Sequence, residues 1–277
     1  MGGMRFWICC TWFAALNAFG AATAPGGDWQ QLVGEARSAW RTNAAAALTL
    51  CDRAVAAAGT NAAPWMMRAA IEDSRRDYEK ALKDVSEALR LEPRLMDAYQ
   101  LRGTIQFKLS HFRESVQDFD RFLAYAPSQR PYHWQRGISL YYAGDYEGGR
   151  KQFELHESVN PNDVENAVWH FLCVARAIGV ERARQLILKP GADARVPMAE
   201  VYELFAGKGS VEKVLSAATP RGGDDPVFYA HLYLGLYHEA LKNKERAREH
   251  IDKAVAIGPN HYMGDVARVH AKLLKSR

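Results

Sequence analysis

The chain has 277 residues, of which 48% are hydrophobic and 25% charged, enough apolar material for one or two packed domains and too much for a disordered chain. Lys and Arg number 36 against 32 Asp and Glu. The cations are scattered through every segment instead of forming a stripe, which argues against a nucleic-acid partner.

The first element in chain order is an export segment. MGGMRFWICCTWFAALNAFGAATAPGG places one cation, Arg5, ahead of an apolar run from Phe6 to Ala18, and small residues follow. Ala18-Phe19-Gly20 and Gly20-Ala21-Ala22 offer small side chains where a signal peptidase needs them, so residues 1–22 are expected to be a signal peptide and the protein periplasmic or secreted. The alternative is an uncleaved membrane anchor, because the apolar character continues to Ala24, although Asn17 and Gly20 oppose it. Cys9 and Cys10 open the apolar run and no cysteine closes it, so no lipid anchor is expected. Cys51 and Cys173 remain in the mature chain, 122 positions apart. A disulfide would need their Cα atoms within about 7 Å, so both are expected as small buried apolar groups instead.

The next elements repeat. Pro93, Pro127 and Pro161 succeed one another at intervals of 34 residues, the tetratricopeptide period. With each proline as the thirty-second position, the eighth is Ala69, Gly103 and Gly137, small where paired helices approach, and the fourth is Trp65, Tyr99 and His133. The twentieth and twenty-seventh are Ala81 and Ala88, then Ser115 and Phe122, then Gly149 and His156, while the twenty-fourth stays apolar as Val85, Phe119 and Phe153. A further copy ending at Pro259 carries Leu234, Gly235, Ala247, Ile251 and Ala254. The chain therefore resembles the tetratricopeptide-repeat family, which implies an all-α solenoid of stacked antiparallel helix pairs in a right-handed superhelix. Each hairpin cannot bury its apolar stripe alone and shares a core with its neighbours.

On that frame residues 23–61 are a linker and a degenerate first pair, with Ala47 and Ala54 in repeat register, Gly59 replacing the proline, and Trp29 and Trp40 supplying bulk. Three repeats follow at 62–95, 96–129 and 130–163, then an irregular helical segment at 162–227, a repeat at 228–261 and a capping helix at 262–277. Pro161 and Pro259 are 98 residues apart, four short of three periods, so the register breaks between them. The turn formers at 189–193 and 219–226 mark where. In the cap, Met263, Val266, Val269, Leu273 and Leu274 recur at helical spacing.

Motifs that resemble reactive sites lie along the same path. His156-Glu157 opens like a zinc-protease motif, but Asn160 stands where the second histidine is needed. Gly207-Lys208 lacks the earlier glycine and the following hydroxyl of a phosphate loop, and Gly137-Ile138-Ser139 has Tyr141 where a nucleophile elbow closes with glycine. His231 and His238 share a helical face beside Glu239 with no third ligand evident. No catalytic residue, metal ligand or cofactor is assigned, and an enzyme sited in 162–227 is kept as an alternative class. Arg68, Arg102 and Arg136 recur at the seventh place, with Asp84 and Asp118 sixteen residues after the first two and Gln152 after the third. Pairing within each hairpin explains the series better than an acidic ligand does.

The family resemblance implies that the second, fifth, ninth and twelfth positions of each first helix line a concave groove. They include Met66, then Gln100, Thr104 and Phe107, then Trp134, Ile138 and Tyr141, a mix of aromatic and hydrogen-bonding groups suited to a peptide or protein partner. Alternatively these aromatics pack against the next repeat or the chain's own irregular segment. The lysine and asparagine set of a carboxylate clamp is not present at these positions.

The layout of export segment, short array, irregular segment and late repeat is similar to the NlpI-like group of periplasmic adaptors. The similarity lies in Tyr132 to Asp163, YHWQRGISLYYAGDYEGGRKQFELHESVNPND, in Trp169-His170-Phe171-Leu172 and in His231 to Ala256. It implies a homodimeric scaffold that presents cell-wall hydrolases to a processing protease. The absent lipidation cysteine departs from the group and bears on membrane tethering. The expected function is a non-catalytic envelope adaptor, with a structural subunit of an envelope assembly as the other non-enzymatic reading.

Overall fold

The computed structural model describes residues 28–219 and 224–276. The expected signal peptide lies outside the described residues, as does part of the 219–226 turn. Among the described residues there are fifteen α-helices, one 3-10 helix and no strand. No described helix is long and apolar enough to cross a membrane. The chain divides into two compact units, one ending at Ile105 and the other beginning at Gln106.

The first unit contains α1 (Trp29–Ala39), α2 (Ala44–Ala57), α3 (Ala63–Ser74), α4 (Tyr78–Leu91) and most of α5 (Met96–Lys108). Asn43 starts α2 by accepting a hydrogen bond from the Ala46 N–H, satisfying one of the donors a helix leaves unpaired at its start. Ala47, Cys51 and Ala54 then face a core with Leu32, Val33, Ala36, Met67 and Ile71, and Trp29 and Trp40 pack on its edge. The Trp40 indole N–H donates to Ser74 Oγ at 2.9 Å. In α4, Ala81, Val85, Ala88 and Leu89 fall at helical spacing and are buried, so the tetratricopeptide positions are the core positions.

The second unit runs through α6 (Phe112–Tyr125), a 3-10 turn (Pro127–Tyr132), α7 (Trp134–Ala143), α8 (Tyr146–Glu157), α9 (Val164–Ile178), α10 (Val180–Leu186), α11 (Met198–Phe205), α12 (Val211–Ala218), α13 (Asp224–Ala240), α14 (Lys244–Ile257) and α15 (Tyr262–Lys275). One continuous core extends from Phe107 to Leu274 and takes residues from every one of α7 to α15. The irregular segment is thus two shortened hairpins sharing that core. α10 has seven residues, and α11 and α12 have eight each. The connection before α11 is pinned by Arg195, which reaches Asp163 at 2.6 Å, Asp193 at 2.6 Å and Glu165 at 3.1 Å. Burial pushes the Glu165 carboxyl up to about 7 despite that guanidinium.

The hairpin turns repeat as regularly as the helices. Arg76, Ser110 and Gly144, successive at 34 residues, all have left-handed backbone, with φ of 66°, 69° and 85°, and Lys242 in the late repeat has 61°. Cys51 and Cys173 are free and buried, and burial pushes the Cys51 thiol up to about 12.

Candidate functional site

The face expected to bind is built in the second unit on α7. His133 caps the helix, its Nδ1 accepting from the Arg136 N–H at 3.2 Å, and its burial beside Phe119 lowers its pKa to about 4, which keeps the ring a neutral acceptor. From that start Trp134, Ile138, Tyr141 and Tyr142 fall on one side of the helix, at spacings of four, seven and eight residues. Phe107, near the end of α5, joins them with its ring centroid 5.5 Å from that of Tyr142.

The last helix of the chain lies against this face. Tyr262, the first residue of α15, stacks on Phe107 at 5.3 Å and meets Trp134 edge-on at 5.1 Å. A polar seam continues the contact. Lys108 Nζ lies 3.6 Å from the Asp265 carboxylate, the Tyr142 hydroxyl is 3.0 Å from His270 Nδ1, and the Glu239 carboxylate is 3.5 Å from His270 Nε2. Arg248 donates to the Leu274 carbonyl at 2.7 Å near the end of α15. Phe107, Ile138 and Tyr141 are 0%, 1% and 5% exposed, Tyr141 lying 5.8 Å from Tyr146 and 5.6 Å from Trp169 of the following helices, and Trp134 alone of the four keeps a half-buried position at the edge. In the first unit Met66, Gln100 and Thr104 are also buried, and the Thr104 hydroxyl bonds its own helix at the Gln100 carbonyl, 3.2 Å away. The rings of the second unit therefore pack within the chain, as one of the two readings of the sequence had it. Their neighbour is α15 and not only the next repeat.

At the far end of α15 a small polar cleft is lined by Tyr141, Tyr142, Tyr146, Arg176, Glu239, His270 and Leu273. Arg176 sits 5.4 Å from the Tyr146 ring centroid and 3.7 Å from Glu239. Burial raises the Tyr141 phenol, so it stays protonated. Each charge here faces an opposite charge or a ring, an arrangement that orients α15.

Two of the recurrent arginines, Arg68 and Arg136, are clamps. Arg68 donates to Asp84, sixteen residues ahead, at 2.8 Å and also to Asp52, sixteen residues behind, at 2.7 Å. Arg136 repeats the pattern with Gln152 ahead at 3.3 Å and Asp120 behind at 2.7 Å. His170, one period further on, takes the same place with Glu154 behind it at 3.3 Å. Pairing within the hairpin was legible from the forward spacing. The backward partner, which joins one hairpin to the one before it, was missed although counting back sixteen residues finds it.

The histidine pair noted in the sequence has a third member. His250 of α14 brings its Nδ1 within 2.9 Å of His231 Nδ1, and His238 stacks on His250 with ring centroids 5.5 Å apart. Among the described residues, no group of three or more His, Cys, Asp and Glu side chains is arranged to hold a metal ion.

No family model matches the chain. Among solved structures, a tetratricopeptide repeat protein from Parabacteroides merdae ATCC 43184 is 17% identical, with 90% of this chain and 100% of that chain covered at a TM-score of 0.60. MamA from Desulfovibrio magneticus RS-1 is 15% identical over 58% of this chain and 92% of its own, at a TM-score of 0.54. PilW, a type IV pilus biogenesis factor, is 17% identical over 82% of this chain and 92% of its own, at 0.52. Identities of this size establish architecture alone, and the architecture is the all-α tetratricopeptide-repeat fold.

Proposed function

We propose that the protein is a non-catalytic adaptor that holds other proteins or peptides on the first-helix face of its repeats. The observation that carries this reading is the seating of α15: in the second unit that face already holds a helix through stacked rings and a seam of polar contacts. Trp134, half-buried at the edge, is the member a partner reaches, and Phe107, Ile138 and Tyr141 are the floor that fixes it. Met66, Gln100 and Thr104 play the corresponding supporting part in the first unit. The export segment supports an envelope location, and the similarity to the NlpI-like group supports a homodimeric scaffold.

The test is capture from a cell-envelope extract with wild type and Trp134→Ala, whose helix content is checked first by circular dichroism. Loss of a partner is expected. An unchanged set of captured proteins, or capture of none by either form, counts against this face. Light scattering of the purified protein reads the dimer directly.

A further inference from the structure

The three histidines of the α13/α14 hairpin lie outside the face assigned above. His231 and His238 come from α13 and His250 from α14, so the cluster spans the two helices of one hairpin. The Nδ1 atoms of His231 and His250, 2.9 Å apart, can share one proton as a donor and acceptor pair. A second proton would set two N–H groups against each other. His238 lies flat on the His250 ring, at 7° between planes, and a charge on both would repel across that stack.

The charged neighbours sharpen this. Lys253 acts on His231 and His250, and Arg246 acts on His238. Glu249 is the one acid among them and is already held by Arg246 at 2.8 Å and Lys253 at 2.8 Å. Glu239, next to His238, is instead within ion-pair reach of Arg176 of α9 and His270 of α15. Glu200 and Glu203 of α11 and Lys213 of α12 line a separate cleft with Lys208. Burial lowers the pKa of all three imidazoles, His250 to about 4. Among the described residues the first unit has no histidine.

We infer that the α13/α14 hairpin is an acid-sensitive element, closed while His231, His238 and His250 are neutral and pried open when mild acid charges them together. The opening is local, because the cluster is confined to the two helices it joins. It would expose the face of α14 that carries Ala247, Ile251 and Ala254.

The test is hydrogen exchange of the full chain at about pH 7.5 and about pH 5, corrected for the intrinsic pH dependence of exchange. Peptides from α13 and α14 are expected to exchange about tenfold faster at the lower pH, while those from α3 and α4, where protonation of the buried Glu72 adds stability, do not speed up. A His231→Gln/His238→Gln protein should lose most of the difference. Unchanged protection of the hairpin at the lower pH would overturn the inference. So would an equal loss in the double variant. Should the variant not fold, NMR titration of the wild-type imidazoles decides: midpoints well below about 6.5 support the inference, and midpoints at or above it refute it.

Discussion

The close approach of paired helices at the eighth repeat position makes Gly235 the most informative single residue to change. A Cβ added there would sit 2.5 Å from Ile251 Cγ1, 2.6 Å from Cδ1 and 3.2 Å from the Ile251 backbone N. The side-chain atoms could rotate away, but the backbone nitrogen can retreat only if α14 moves. In the first full repeat the same position is Ala69, fully buried, so a methyl is accommodated where the hairpin is built for it. Gly235→Ala gains about 1 kcal/mol of helix propensity and loses about 1–3 kcal/mol to overpacking, so a net destabilisation of about 1 kcal/mol is expected. Ile251→Ala by itself should cost about 2–5 kcal/mol through the cavity it leaves. In the Gly235→Ala background it should cost at least about 0.5 kcal/mol less, because the new methyl fills part of that space. Urea unfolding followed by circular dichroism measures both, with the transition of the second unit fitted separately. A Gly235→Ala protein as stable as wild type, with additive double-variant energies, would show that the helices are not in contact as described.

Two further predictions concern the first unit. Arg68→Met removes the partner of Asp84, whose side chain is 4% exposed, and should cost about 3 kcal/mol, whereas Asp52→Ala, at 64% exposure, should cost less than about 1 kcal/mol. Equal costs in urea unfolding would refute the clamp as an asymmetric device. Glu72 is buried with Oε2 unbonded, and burial, with Asp84 adding to it, raises its pKa from the ordinary 4.5 to about 7. The folded state then binds the proton more tightly, so stability is full below about pH 4.5 and declines as pH rises through about 7. Glu72→Gln should remove that decline and be more stable than wild type at about pH 8 by on the order of 1–3 kcal/mol, and parallel stability profiles for the two proteins across this range would refute it.

The repeat was legible because its determinants are local and periodic. A proline two residues past Leu91 or at the end of α6 stops a helix by its own geometry, and Ala81, Val85 and Ala88 face a core wherever that hairpin is placed. The hairpin turns were harder to see. Their left-handed residues share the period, but Arg76, Ser110 and Lys242 are not glycines, so residue type conceals a backbone state that only Gly144 announces. The irregular segment could be placed by its missing four residues but not resolved into helices, since α10, α11 and α12 are too short to show a full apolar face.

What sequence reading could not reach is the state of the proposed binding face, and the reason is distance along the chain. Whether Phe107 and Tyr142 are open or covered is decided by where Tyr262 and His270 land, more than 120 residues later. The amphipathic spacing of Met263, Val266, Val269 and Leu274 requires α15 to be covered, yet many faces would satisfy it. The choice is made by pairs that periodicity does not encode: Tyr262 with Phe107, Asp265 with Lys108, and His270 with Tyr142 and Glu239. The histidine cluster follows the same logic. Two of its members share a helix and were visible together, and the third becomes part of it only because α14 folds back on α13.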